Sequence, residues 1–151
     1  MSEMLGNHYF QLRDFVHAER TYEKLSSAQL DDLKILKKLI ICYTQTHKIA
    51  KALQYLLVLM AKDISTILEN NRNDEDCPCN ELIFKIENEE IKYSTEEEKY
   101  TALAILWIYC NHKTSLNYFQ MALNENPQNK NLIKMISFIK ELSKQNILET
   151  N

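Results

Sequence analysis

Five apolar positions of this chain recur at a single offset. Tyr9 and Tyr43, Ala18 and Ala52, Leu5 and Leu39, Tyr22 and Leu56, and Leu25 and Leu59 are each 34 residues apart. A fixed period of roughly 20–50 residues marks stacked supersecondary units, none of which can bury its apolar face alone. Within the first unit Leu5 and Tyr9 are one helical turn apart. Phe15, Ala18, Tyr22 and Leu25 follow at steps of three and four, which predicts a pair of helices. The small Ala18 is expected where two helices cross closely.

Composition agrees with helices and removes other classes. The 151 residues include one glycine, Gly6, and two prolines, Pro78 and Pro127. A phosphate-cradling loop needs several glycines so that backbone N–H groups can approach the ligand, so neither a P-loop nor a dinucleotide fingerprint can form. Tight β-hairpins need Gly or Asn-Gly as well, which argues against an all-β fold.

The residues around the repeat resemble the tetratricopeptide repeat (TPR) family. Leu5-Gly6-x-x-Tyr9 followed by Ala18-x-x-x-Tyr22 is similar to its L-G-x-x-Y…A-x-x-x-F pattern. Leu36, Leu39, Tyr43, Ala52 and Leu56 repeat it with Ile40 in place of the glycine. Phe119-x-x-Ala122-Leu123-x-x-x-Pro127 matches the motif's close, with Ser115 at the small-residue position and Leu103 and Leu106 on the first helix. The resemblance implies an all-α, TPR-like helical-hairpin solenoid in a single domain over 1–151. Its units lie at about 1–34, 35–68 and 96–127.

The third unit is out of phase, because Ala52 and Ser115 are 63 residues apart. Residues 69–95 are therefore read as an insertion. Residues 69–98 hold eleven acids and three bases, while the rest of the chain holds ten acids and fifteen bases, so an acidic segment adjoins a mildly basic body. Ser26-x-x-Gln29 and Thr95-x-x-Glu98 read as capping boxes. They predict helices at 27–45 and 96–110, with others at 2–12, 15–25, 48–70 and 114–125. Residues 71–80 are expected to be a loop, and 81–93 a short helix or an irregular arm. A final amphipathic helix over 129–146, capped by Asn129 or Asn131, is expected to close the array with a polar outer face.

No catalytic constellation is visible among His8, His17, His47 and His112, and the chain is expected not to be an enzyme. His47 and His112 are expected to be exposed in turns. Cys77-Pro78-Cys79 lacks the spacing and the second ligand pair of a zinc site, and reads as two free thiols in an acidic loop. Cys42 and Cys110 read as core residues. No cofactor or metal is expected. Asp74-Glu75-Asp76 lacks the spaced ligands of a calcium loop. The longest apolar run, Ala102 to Cys110, is nine residues, far short of the roughly 20 that span a bilayer. The charge balance does not suit nucleic acid. The expectation is a cytoplasmic protein that binds neither membrane nor nucleic acid.

The family resemblance implies a concave groove lined by the first helix of each unit, holding a peptide or helix. Asn7, Phe10 and Gln11 would face it from the first unit. Lys34, Lys37, Ile41, Thr44 and Gln45 would face it from the second, and Tyr100, Ala104, Trp107 and Ile108 from the third. The carboxylate clamp of chaperone-binding members is not kept, since Glu3 stands in the lysine position and Tyr100 and Thr101 in the later basic positions. The third unit's first helix is apolar on every side and needs a cover. The insert's Leu82, Ile83, Phe84 and Ile86 are the spare apolar cluster that could supply it. The expected function is a non-catalytic scaffold or adaptor binding a protein or peptide, with an acidic segment or an apolar helix as candidate ligands. The alternatives are a small TPR-type chaperone for a secretion or assembly subunit, and a structural oligomer such as a homodimer or a piece of a longer array.

Overall fold

The computed structural model describes residues 2–25, 32–62 and 78–150. Among them are eight α-helices and no strand, so the chain is all-α. It divides into two compact units, 1–69 and 70–151.

Unit 1 contains α1 (Ser2–Gln11), α2 (Phe15–Glu23), α3 (Leu33–Gln45) and α4 (Ile49–Lys62). Helix α1 packs on α2, α2 on α3, and α3 on α4. The two hairpins match turn for turn at the 34-residue offset. Leu12 N–H donates to His8 O as Thr46 N–H does to Cys42 O, and Asp14 N–H to Tyr9 O as Lys48 N–H does to Tyr43 O. Arg13 and His47 both take positive φ, 64° and 63°. That left-handed conformation lets the chain satisfy the last carbonyls of the helix it leaves. It costs an L residue about 1–2 kcal/mol. Arg13 offsets part of this by donating from Nη1 to Phe10 O at 3.2 Å.

Asp14 caps α2 by accepting from His17 N–H. Its carboxyl is held below the usual range, first by the His17 ring, whose Nδ1 lies 2.8 Å away. The small residues at the predicted crossings, Ala18 and Ala52, are fully buried. Gly6 is required by packing, because a Cβ there would lie 2.6 Å from Tyr22 Cε1.

Polar links tie α2 to the second hairpin. Buried Glu19 accepts from the Thr46 hydroxyl and the Lys48 ammonium. Glu23 accepts from the Tyr43 hydroxyl at 2.7 Å and from Lys51 Nζ at 3.2 Å. Burial opposes ionisation of Glu23, but Tyr43, Lys51 and Lys48 outweigh it and hold the carboxyl below its ordinary value.

The second helix pair starts later than expected. Asp32 caps α3 by accepting from Lys34 N–H at 2.9 Å, so that helix begins at 33 rather than 27. The Ser26–Gln29 box, the 63–70 extension of the next helix and Cys77 lie outside the described residues.

Unit 2 contains α5 (Cys79–Glu87), α6 (Glu96–Trp107), α7 (His112–Glu125) and α8 (Lys130–Thr150). Helix α6 packs on α5 and α7, and α7 packs on α8. Thr95 caps α6 by accepting from Glu98 N–H at 3.1 Å, and Asn129 caps α8 by accepting from Asn131 and Leu132 N–H. Helix α7 begins at 112 rather than 114, because Asn111 is its cap. Helix α8 runs to 150 rather than 146. Glu97 accepts from Asn126 Nδ2 and Asn129 Nδ2 at 3.1 and 2.9 Å, tying the start of α6 to the α7–α8 turn. Ser115, fully buried, donates its hydroxyl to Ala104 O at 2.7 Å.

Of the two forms expected for 81–93, a short helix or an irregular arm, the helix is found over Cys79–Glu87, and it starts inside the segment expected to be a loop. Residues 79 and 80 already belong to α5, and Cys79 is buried in its first turn rather than free in a loop. Leu82, Ile83 and Ile86 are buried in a helix packed on α6, whereas Phe84 points to solvent, 62% exposed. Four apolar residues within five positions cannot share one side of a short helix, and Phe84 falls on the far side.

Candidate partner-binding surface

In unit 1 the polar residues of α1 and α3 gather around Asn7. Glu3, Asn7 and Gln11 fall at steps of four on one line of α1, with Met4 and His8 beside them. These five line a shallow, open depression of about 550 Å³. Asn7 Oδ1 accepts from the Tyr22 hydroxyl at 2.6 Å and from Lys38 Nζ at 3.3 Å. With its oxygen engaged twice, the amide NH₂ is the group Asn7 has to offer a ligand. Lys38 Nζ also lies 5.8 Å from the centroid of the Phe10 ring, close enough for a cation–π contact. Lys34 is exposed and Lys37 half-buried on the same helix, and Gln45 donates from Nε2 to Thr44 Oγ1 at 3.1 Å.

Five of the residues expected to line the groove are core instead. Phe10 and Ile41 are each 1% exposed, and Thr44, Ala104 and Ile108 are fully buried. Phe10 packs edge-on against Phe15, with ring centroids 5.7 Å apart. The Thr44 hydroxyl donates to Ile41 O at 2.6 Å, which removes the need for water. Helices α3 and α6 are covered on more than one side, so residues beyond their main apolar stripe are also enclosed. Asn7, Gln11, Lys34, Lys37, Gln45, Tyr100 and Trp107 keep some exposure. Glu3, Met4 and His8 were not singled out for the groove, although their spacing around Asn7 would have placed them there.

In unit 2, Tyr100 on α6 stacks against Tyr118 on α7, with centroids 6.3 Å apart and rings inclined by 28°. The Tyr118 hydroxyl donates to Glu87 Oε2 at 3.0 Å, joining α5 to α7. Burial first, and then this carboxylate, push the Tyr118 hydroxyl up to about 12. Tyr100 is also raised, chiefly by its hydrogen bond to Glu96. Trp107 is half-buried, and its indole Nε1 is enclosed without a hydrogen-bond partner among the described residues.

His47 is exposed in its turn, but His112 is half-buried at the start of α7, and burial lowers its pKa. Burial also pushes the Cys42 thiol up, as suits a core residue, whereas Cys110 is only half-buried. Among the described residues no group of three or more His, Cys, Asp or Glu side chains comes together to hold a metal. No helix among them is long and apolar enough to cross a membrane. Comparison with family models, with curated proteins and with solved structures finds no match for this chain.

Proposed function

We propose that this chain is a non-catalytic interaction module of TPR-like build. Its α1–α3 face receives an acidic peptide or helix of a partner protein. The observation that carries the reading is the polar surface around Asn7, whose amide oxygen is engaged by Tyr22 and Lys38, with Lys34 one turn before Lys38 on α3 and Glu3 and Gln11 one turn to either side of Asn7 on α1. Lysines set beside a pre-positioned amide suit a ligand with carboxylates and exposed backbone carbonyls, since each supplies donors. The hairpins recurring at 34 residues support the TPR-like reading, because helices equivalent in such a repeat lie side by side and present their outer faces together.

The test is fluorescence anisotropy with two labelled helical peptides of equal length, one acidic and one basic. The acidic peptide should bind and weaken as salt is raised. Lys34→Glu combined with Lys37→Glu should abolish binding while leaving the helical circular dichroism intact. Equal affinity for both peptides, or binding that survives the charge reversal, would refute the assignment.

A further inference from the structure

The second hairpin shows how this repeat packs without an amide between its helices. At the positions matched by the 34-residue offset, Ile40, Ile41 and Leu56 stand where the first hairpin has Gly6, Asn7 and Tyr22. All three are buried, at 1% exposure or less. Apolar side chains therefore fill this place, and no polar group is needed for packing. The first hairpin forgoes that arrangement. A glycine inside α1 costs about 1 kcal/mol against alanine, and its missing Cβ is what lets the Tyr22 ring approach, since a Cβ would stand 2.6 Å from Cε1. The ring carries its hydroxyl to Asn7 Oδ1 at 2.6 Å. Local choices that weaken a helix without improving its core mark a site kept for another purpose.

The amide is held in one sense. Lys38 Nζ lies 3.3 Å from the same oxygen and is itself seated 5.8 Å from the centroid of the Phe10 ring. An ammonium has no lone pair to offer, so only the oxygen of Asn7 can face it. Tyr22 and Lys38 together fill that oxygen's two lone pairs. The amide nitrogen, with two N–H donors, has no hydrogen-bond partner among the described residues, and Asn7 lines the open depression between Glu3 and Gln11. Glu3, one turn before Asn7 on α1, disfavours a carboxylate at that spot, because like charges in contact are costly. A neutral acceptor meets no such cost.

We propose that Tyr22 and Lys38 are positioning residues that turn the Asn7 N–H donors outward to receive a backbone carbonyl of the partner. This rests on the peptide-binding reading above and divides its chemistry. Lys34 and Lys37 meet the partner's carboxylates, and Asn7 meets a carbonyl of the kind that the last turn of a helix leaves without an intrahelical bond.

Tyr22→Phe tests it, because the ring and the net charge are kept and one hydroxyl is lost. Binding of the acidic helical peptide is followed by fluorescence anisotropy, and the motion of the Asn7 side-chain amide in the free protein by nitrogen NMR relaxation. The wild-type amide should be as rigid as the helix backbone and should loosen in Tyr22→Phe. The variant should bind the peptide about two- to tenfold more weakly, the range of one neutral hydrogen bond. In an Asn7→Ala background the same substitution should leave affinity unchanged, a coupling that a merely structural role of Tyr22 would not produce. Lys38→Met should likewise cost more affinity in the wild-type background than in the Asn7→Ala background. The Tyr22→Phe factor should hold at low and high salt while the affinity itself falls. A factor that shrinks with salt would put a carboxylate on Asn7 and overturn the carbonyl assignment. A mobile Asn7 amide in the wild type overturns the proposal, as does an affinity that Tyr22→Phe leaves unchanged or weakens equally in both backgrounds. A rigid amide in a protein that does not bind the acidic peptide refutes the peptide-binding reading itself, and the proposal falls with it.

Discussion

Gly6→Ala isolates the contact that sets the spacing of the first hairpin. The added Cβ would stand 2.6 Å from Tyr22 Cε1, 2.8 Å from Cδ1 and 3.1 Å from Cζ. The obstacle is a rigid ring. Tyr22 is fully buried, and its hydroxyl is held by Asn7 Oδ1 at 2.6 Å, so the ring cannot withdraw without losing that bond or displacing its neighbours. Overpacking of this kind costs about 1–3 kcal/mol, and so close an approach belongs in the upper half of that range. Against it stands the helix propensity of alanine over glycine, worth about 1 kcal/mol. The net expectation is a loss of about 1–2 kcal/mol, a fall in Tm of roughly 3–6 °C for a chain of this size. Thermal unfolding followed by circular dichroism at 222 nm reads this directly. The sign is decisive, since a glycine with open space beside it would give a higher Tm when changed to alanine. A double-mutant cycle locates the cause: in a Tyr22→Leu background the obstacle is gone, and Gly6→Ala should become stabilising. The matched pair in the second hairpin, Ile40 and Leu56, is that exchange already made, and both residues are fully buried. A Tm that rises in the wild-type background would show that the ring does not constrain α1.

Other consequences can be measured in the same way. Ala18→Leu and Ala52→Leu, both at fully buried crossings, should each destabilise by about 1–3 kcal/mol in urea titrations, and neutrality of both would mean that the helices do not cross there. Ile86→Ala, which empties a fully buried position on α5, should cost about 2–5 kcal/mol. Phe84→Ala, one turn face away and exposed, should stay within about 0.5 kcal/mol; equal effects would deny α5 its place in the core of unit 2. Because the folded-state pKa of Glu23 is held below its ordinary value of 4.5, its contribution is present above that pH and is lost as pH falls through the folded value. Glu23→Gln should therefore flatten the fall of Tm on acidification below about 4.5, and an unchanged slope would remove Glu23 from the α2–α3 latch.

The helical class, the 34-residue recurrence and two of the caps, Thr95 and Asn129, are legible along the chain. These are local properties: near absence of Gly and Pro, apolar spacing at three and four, and a Thr or Asn one turn before the N–H it serves. Thr95 could be read from Glu98 three residues on, and Ala18 and Ala52 from their matched positions in the period. Asp32 was harder to find because a competing box, Ser26–Gln29, lay just ahead of it. Which helix faces are enclosed twice is settled by packing alone. Ile41, Thr44, Ala104 and Ile108 lie beyond the main stripe of their helices, and periodicity places a residue on a side without saying whether a second neighbour covers that side. Helix α5 illustrates the same limit. Leu82, Ile83 and Ile86 read as an apolar cluster able to cover the third unit's first helix, and they are buried in a helix packed on α6, but Cys79, read as part of an acidic loop, is enclosed with them. Burial is set by the nearness of helices distant in the chain, and that information is not held in the spacing of residues along any one of them.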